Sequence, residues 1–160
     1  MMQNTQNRSV QIGLFVACLV SLLASSGQAL PISLGTAADY AVLLAASLPP
    51  SEIADRIGVD ESRIRQRIKQ HTLYAVKDGR GWRVPVFQLD ATGHALLPGL
   101  ERIIPHVHDA HLVEVARWFL SPQVDLEGPD DEPMSPRDWL VTGHDPKVAA
   151  TVAEEFDGLG

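Results

Sequence analysis

SEIADRIGVDESRIRQRIKQHTLYAVKDGRGWRVP, Ser51–Pro85, is the stretch whose reading decides the fold. Ile53, Ala54 and Ile57 share one face of a short helix. Gly58 then supplies a position that tolerates positive φ, so the chain can turn sharply. Asp60 is suited to cap the next helix, because its carboxylate accepts from first-turn amides. In that helix, Glu61–His71, Ile64 and Ile68 stand at i and i+4 and form a buried seam. Arg63, Arg65, Gln66, Arg67, Lys69 and Gln70 take the remaining faces. A short helix, a Gly-containing turn and a second helix make a helix–turn–helix. The second helix spans roughly 16 Å at 1.5 Å per residue, a match for a major groove about 12 Å wide. After Thr72, Leu73–Lys77 and Trp82–Val86 flank DGRG, a strong hairpin signal. A hairpin directly after a recognition helix is a wing.

These residue types point to double-stranded DNA. Arg pairs bidentately with guanine and Gln with adenine, while other cations hold phosphates and set register. Arg63, Gln66 and Arg67 are the expected base readers, with Gln70 on the same helix. Arg65 and Lys69 are expected on phosphates. Lys77, Arg80 and Arg83 of the wing would reach the backbone or minor groove. Trp82 and Phe87 are expected to pack the wing onto the helices. The bland reading is a basic helix that is simply solvated, on a fold used only for protein contacts. A single module makes few phosphate contacts, so a homodimer is expected.

Upstream, AADYAVLLAASL (Ala37–Leu48) has Tyr40, Leu43, Leu44 and Leu48 at helical spacing, and Pro49–Pro50 is expected to end that helix. The chain has 160 residues and a formal net charge of −7. Its charge is uneven: residues 47–90 carry net +2 and residues 91–160 carry net −9. A basic middle joined to an acidic tail suggests two surfaces with two kinds of partner. Hydrophobic residues at 45% suffice for a packed core, and 21% charged residues argue against wholesale disorder. The single cysteine, Cys18, excludes an intramolecular disulfide and a Cys-rich zinc site.

The N-terminus raises the question of localisation. Ile12–Ala24 is nearly continuous apolar sequence, preceded by Arg8 and followed by small residues at Gly27 and Ala29. That is the layout of a secretory signal, and it falls short of the ~20 apolar residues of a membrane span. A DNA-binding module has no target outside the cell. The cytoplasm is therefore the expected location, with export after cleavage at Ala29, or a misassigned start, as alternatives.

The acidic tail reads as helical. HLVEVARWFLS (His111–Ser121) places Leu112, Val115, Ala116 and Phe119 on one face. DLEGPDDEP (Asp125–Pro133) reads as a solvated loop. Ser135–Pro136 and Asp145–Pro146 are cap-and-Pro helix starts. His106, His108 and His111 converge on a metal only if the backbone turns them inward. With Pro105 just before, a loop or helix start with surface histidines is the expectation. No nucleophile–base–acid set stands out, so no enzyme, no cofactor and no small-molecule substrate are expected.

IADRIGVDESRIRQRIKQHTLYAVKDGRGWRVPVFQL, PGLERIIP, VARWFLSPQVDLE and SPRDWLVTGHDPKVAATVAEEF together resemble bacterial antitoxin-like DNA-binding proteins. These join an N-terminal helix–turn–helix to a C-terminal Xre/MbcA/ParS-type toxin-binding domain. The resemblance implies a mainly α fold: a winged helix–turn–helix with a small β-hairpin, then a small helical toxin-binding-like module. It implies a transcriptional autorepressor and antitoxin that covers the active site of a RES-domain, NAD-consuming toxin encoded nearby. The implied toxin-facing residues are Trp139, Gly143, Asp145, Pro146, Glu154, Glu155 and Phe156. The expected divisions are an apolar extension over 1–34, the DNA-binding domain over 35–92 and the acidic partner-binding domain over 93–160. The alternatives are a stand-alone regulator and an interaction adaptor without DNA binding.

Overall fold

The computed structural model describes residues 37–79 and 81–156, all within one compact unit spanning 33–160. The signal-like segment, the 1–34 extension and Arg80 lie outside the described residues. Helix α1 covers Ala37–Ala45. It stops short of the expected end at Leu48, because Ser47–Leu48 form strand β1. Two causes act together. Pro49 biases Leu48 away from helical ψ, and a neighbouring strand offers pairing partners, with Ser47 opposite Pro85 and Leu48 opposite Val84.

Helix α2 spans Pro50–Ile57, with proline at its first position, where no amide donor is needed. Ile53 and Ala54 are buried. Gly58 adopts φ 71°, and the amide of Val59 donates back to the carbonyl of Ala54 at 3.0 Å. The turn ends at Asp60, which sits at the N-cap of α3 (Glu61–Lys69) without a side-chain capping bond. Ile64 and Ile68 are buried, as their spacing dictates.

Strands β2 (Val76–Asp78) and β3 (Gly81–Pro85) follow. Asp78 pairs with Gly81 and closes the hairpin. The first strand starts later than expected and the second ends one residue earlier. Leu73 and Tyr74 are buried ahead of β2, and Val86–Gln88 form a 3-10 turn. The sheet order is β1-β3-β2, so β1 braces the hairpin from the side opposite β2.

Helix α4 spans Leu100–Val107 with Pro105 inside it, where a loop or helix start was expected. The proline ring is exposed and the helix ends two residues later, so burial of Leu100, Ile103, Ile104 and Val107 prevails over the missing amide. Helix α5 (Leu112–Leu120) opens with a capping box between His111 and Glu114. The expected loop at Asp125–Pro133 holds at its centre, over 128–132, while its ends belong to a bulged hairpin of β4 (Gln123–Glu127) and β5 (Pro133–Met134), with Leu126 buried. Helices α6 (Pro136–Val141) and α7 (Pro146–Glu154) start at Ser135 and Asp145 as the sequence predicts. Both side chains accept first-turn amides, at 3.1 and 2.9 Å.

The architecture is thus mixed: seven α-helices and two small antiparallel sheets among the described residues. One cluster of buried side chains runs from Leu48 to Ala153. It crosses the boundary expected near residue 92. Phe87 meets Phe119 with ring centroids 5.4 Å apart, and the hydroxyl of Tyr74 donates to the carbonyl of Ala110 at 2.8 Å. Tyr40 of α1 lies against His111 at 5.3 Å. None of the described helices is long and apolar enough to cross a membrane.

Candidate nucleic-acid interface

The buried seam of α3 settles which side chains face out. With Ile64 and Ile68 inward, the 3.6-residue period turns Ser62, Arg63, Gln66, Lys69 and Gln70 to solvent. All five are exposed. Along one edge of that face, Arg63, Gln66, Arg67 and Gln70 line an open groove of about 300 Å³ together with Ile57, Val59 and Ile64. The groove therefore combines guanidinium and amide donors with an apolar edge.

The expected cations are not equivalent. Arg63 and Lys69 are exposed on the outer face. Arg65 is exposed but tied to Glu61 one turn earlier, with nitrogen–oxygen distances of 2.8 and 2.6 Å. Arg67 is half-buried, and its guanidinium donates to the carbonyl of Thr72 at 3.4 Å. Thr72 answers through both its amide and its hydroxyl, each donating to the carbonyl of Arg67. This exchange closes the C-terminal end of α3, just after which His71 takes φ 54°.

On the hairpin, Lys77 is exposed, with its Nζ 5.2 Å from the centroid of Trp82, its cross-strand partner. Arg83 is half-buried and lies 3.7 Å from the carboxylate of Asp78. Trp82 packs partly against the core and Phe87 is buried in it.

Of the expected partner-facing residues, Trp139, Gly143, Asp145 and Pro146 lie at the α6–α7 turn, and Glu154, Glu155 and Phe156 lie at the far end of α7. Trp139 is buried, and its Nε1–H donates to the carbonyl of Asp145 at 2.9 Å. His144 stacks on its ring at 4.2 Å. Gly143 supplies φ 84° for the turn. Asp145 caps α7, and Pro146 is its first residue. Glu154 and Glu155 are exposed, while Phe156 is half-buried against Trp118. Trp139, Asp145 and Pro146 thus shape the turn, while Gly143, Asp145, Glu154 and Glu155 offer exposed surface.

The three histidines do separate work. His106 is exposed on α4. His108 contacts the carbonyl of Pro105 at 2.9 Å and the carboxylate of Asp109 at 3.2 Å. His111 caps α5. Among the described residues no group of three or more His, Cys, Asp or Glu side chains is placed to hold a metal ion.

Two features escaped the sequence reading. The Glu61–Arg65 pair was legible in principle as an i,i+4 spacing. Gln88 is fully buried, and only its position within an apolar run hinted at that.

No protein-family model matches the chain, and no curated protein matches it. Among solved structures, the chain is similar to the NMR structure of Rv2175c at 20% identity and a TM-score of 0.48. That match covers 68% of this chain and 78% of that one.

Proposed function

We propose that this protein binds double-stranded DNA as a winged helix–turn–helix, with α3 in the major groove and the β2–β3 hairpin against the backbone. The observation that carries this reading is the outer face of α3. Ser62, Arg63, Gln66, Lys69 and Gln70 are exposed together, opposite a seam that anchors the helix to the core. Arg63 and Gln66 supply base-reading geometry, and Gln70 extends the same face by one turn. Lys69 and Lys77 serve phosphates. Arg65 contributes once Glu61 releases it. A pair of such modules, as a homodimer, gives the contact number that tight binding needs.

The biological role we infer is autorepression coupled to neutralisation of a RES-type toxin, in the cytoplasm. It rests on the SPRDWL…GHDP resemblance in Ser135–Pro146 and on the acidic balance of the second half. Co-expression tests it: a growth-arresting neighbour gene product silenced in a stable complex supports the role, and no complex removes it. A stand-alone regulator then remains. An adaptor without DNA binding is favoured by a different observation, the internal pairing of Arg65 with Glu61 and Arg83 with Asp78.

Selecting duplexes from a random pool tests DNA recognition directly. Arg63→Ala is expected to weaken the selected site by about 1–3 kcal/mol and to relax preference at one base pair. Wild-type affinity together with an unchanged base preference in Arg63→Ala would contradict the assignment.

A further inference from the structure

The side chain of Gln88 is fully buried, 14 positions away from the residue it serves. Its Oε1 accepts the amide of Tyr74 at 2.8 Å. Its Nε2 donates to the carbonyl of the same Tyr74, also at 2.8 Å, and lies 3.4 Å from the carbonyl of Pro85. Both main-chain groups of one residue are thus bonded as a neighbouring strand would bond them. Tyr74 lies in the linker between α3 and β2, outside any strand. A buried backbone pair left open there would cost its full desolvation, so some partner is required. What is notable is where the partner comes from. Gln88 closes the 3-10 turn that directly follows β3, the far strand of the hairpin. The amide therefore joins the entry of the hairpin to its exit.

The next link toward α3 is held as well. Thr72 is clamped to Arg67 by the three reciprocal bonds described above. Tyr74 is also fixed by its hydroxyl to Ala110. Only Leu73 and Ala75 in this linker depend on packing alone, and Leu73 is buried.

We propose that Gln88 is a positioning residue that sets the hairpin relative to α3, so that α3 and Lys77 engage one duplex at the same time. The inference rests on the DNA-binding reading for its consequence, but its structural half stands without it. Gln88 touches no nucleic acid. It acts through the backbone of Tyr74.

The first test needs neither a variant nor DNA. In an NMR exchange experiment on the wild-type protein, the side-chain amide protons of Gln88 are expected to exchange slowly. Those of Gln66 and Gln70, which are exposed, are expected to exchange fast. Fast exchange at Gln88 overturns the proposal.

The second test is a pair of mutant cycles read by duplex affinity against salt. In the wild type, Lys77→Ala should shallow the log–log salt slope by about 0.9, one phosphate. In Gln88→Met, which keeps the length and loses the bonds, Lys77→Ala should leave the slope unchanged. Arg63→Ala should weaken binding roughly 5- to 150-fold in both backgrounds. A general loss of structure would blunt both residues alike, and that result overturns the positioning role. Full retention of the Lys77 effect in Gln88→Met also overturns it. If Gln88→Met does not fold, Gln88→Glu, which keeps the acceptor for Tyr74, carries the same cycles. If the wild type binds no duplex, the DNA reading fails and the consequence for Lys77 falls with it. The exchange result then decides whether Gln88 holds the linker.

Discussion

At Gly99 the backbone runs directly against Pro146, the first residue of α7. A Cβ at Gly99 would overlap the Pro146 ring, and φ is 81°, a conformation that side chains rarely adopt. Gly99→Ala is therefore expected to destabilise the protein by about 1–3 kcal/mol through overpacking, with backbone strain added. Denaturant unfolding measures it, and an unchanged midpoint would contradict the close approach. Roles of this kind divide by how local they are. The caps at Ser135 and Asp145 were legible, because cap, proline and first turn are neighbours in sequence. The αL turn at Gly58 was legible for the same reason. Gln88 and Gly99 were not, because their partners, Tyr74 and Pro146, are distant in sequence and their work exists only once the chain has packed.

At the scale of elements, α3 shows what periodicity delivers and where it stops. Ile64 and Ile68 identified the buried seam, and the outer face follows from it. What the pattern left open was the flank. Arg67 was an expected base reader, and the structure places it half-buried and bonded to Thr72. Arg67→Ala should accordingly cost about 1 kcal/mol of stability from the lost hydrogen bond. It should leave base preference intact, unlike Arg63→Ala. Unfolding curves and duplex selection on the two variants separate these effects. A change of base preference in Arg67→Ala without a stability loss would return Arg67 to the reading set. Outside the β2–β3 hairpin, which the DGRG signal marked, the strands were the least legible elements. Ser47–Leu48 and Gln123–Glu127 carry little strand character of their own; the first is defined by a partner distant in sequence, β3, and the second by the strand that directly follows it, β5. Pairing, rather than intrinsic propensity, decided both.

For the whole molecule, the sequence suggested two domains meeting near residue 92, because charge and composition change there. The surface does change character, but the interior is continuous. Phe87 packs on Phe119, Tyr74 reaches Ala110, and Arg137 lies 3.5 Å from the carbonyl of Leu89. Charge patterning reports on surfaces, and burial decides what folds together. Residues 37–156 are expected to unfold in a single cooperative transition, with fluorescence and circular dichroism coinciding. A fragment ending at residue 92 should fail to fold, since it leaves Phe87 and Leu89 without their partners. Two separated transitions, or a folded fragment, would contradict a shared core. This continuity also places the basic α3 and the acidic second half on one body.

The most direct measurement is duplex affinity as a function of salt, by fluorescence anisotropy on a selected site and on a scrambled one. Recognition through α3 predicts a linear fall of log K with log salt, with a slope of about −0.9 for each phosphate neutralised. It also predicts tighter binding to the selected site. No measurable affinity for either duplex, or an affinity indifferent to salt, would contradict it.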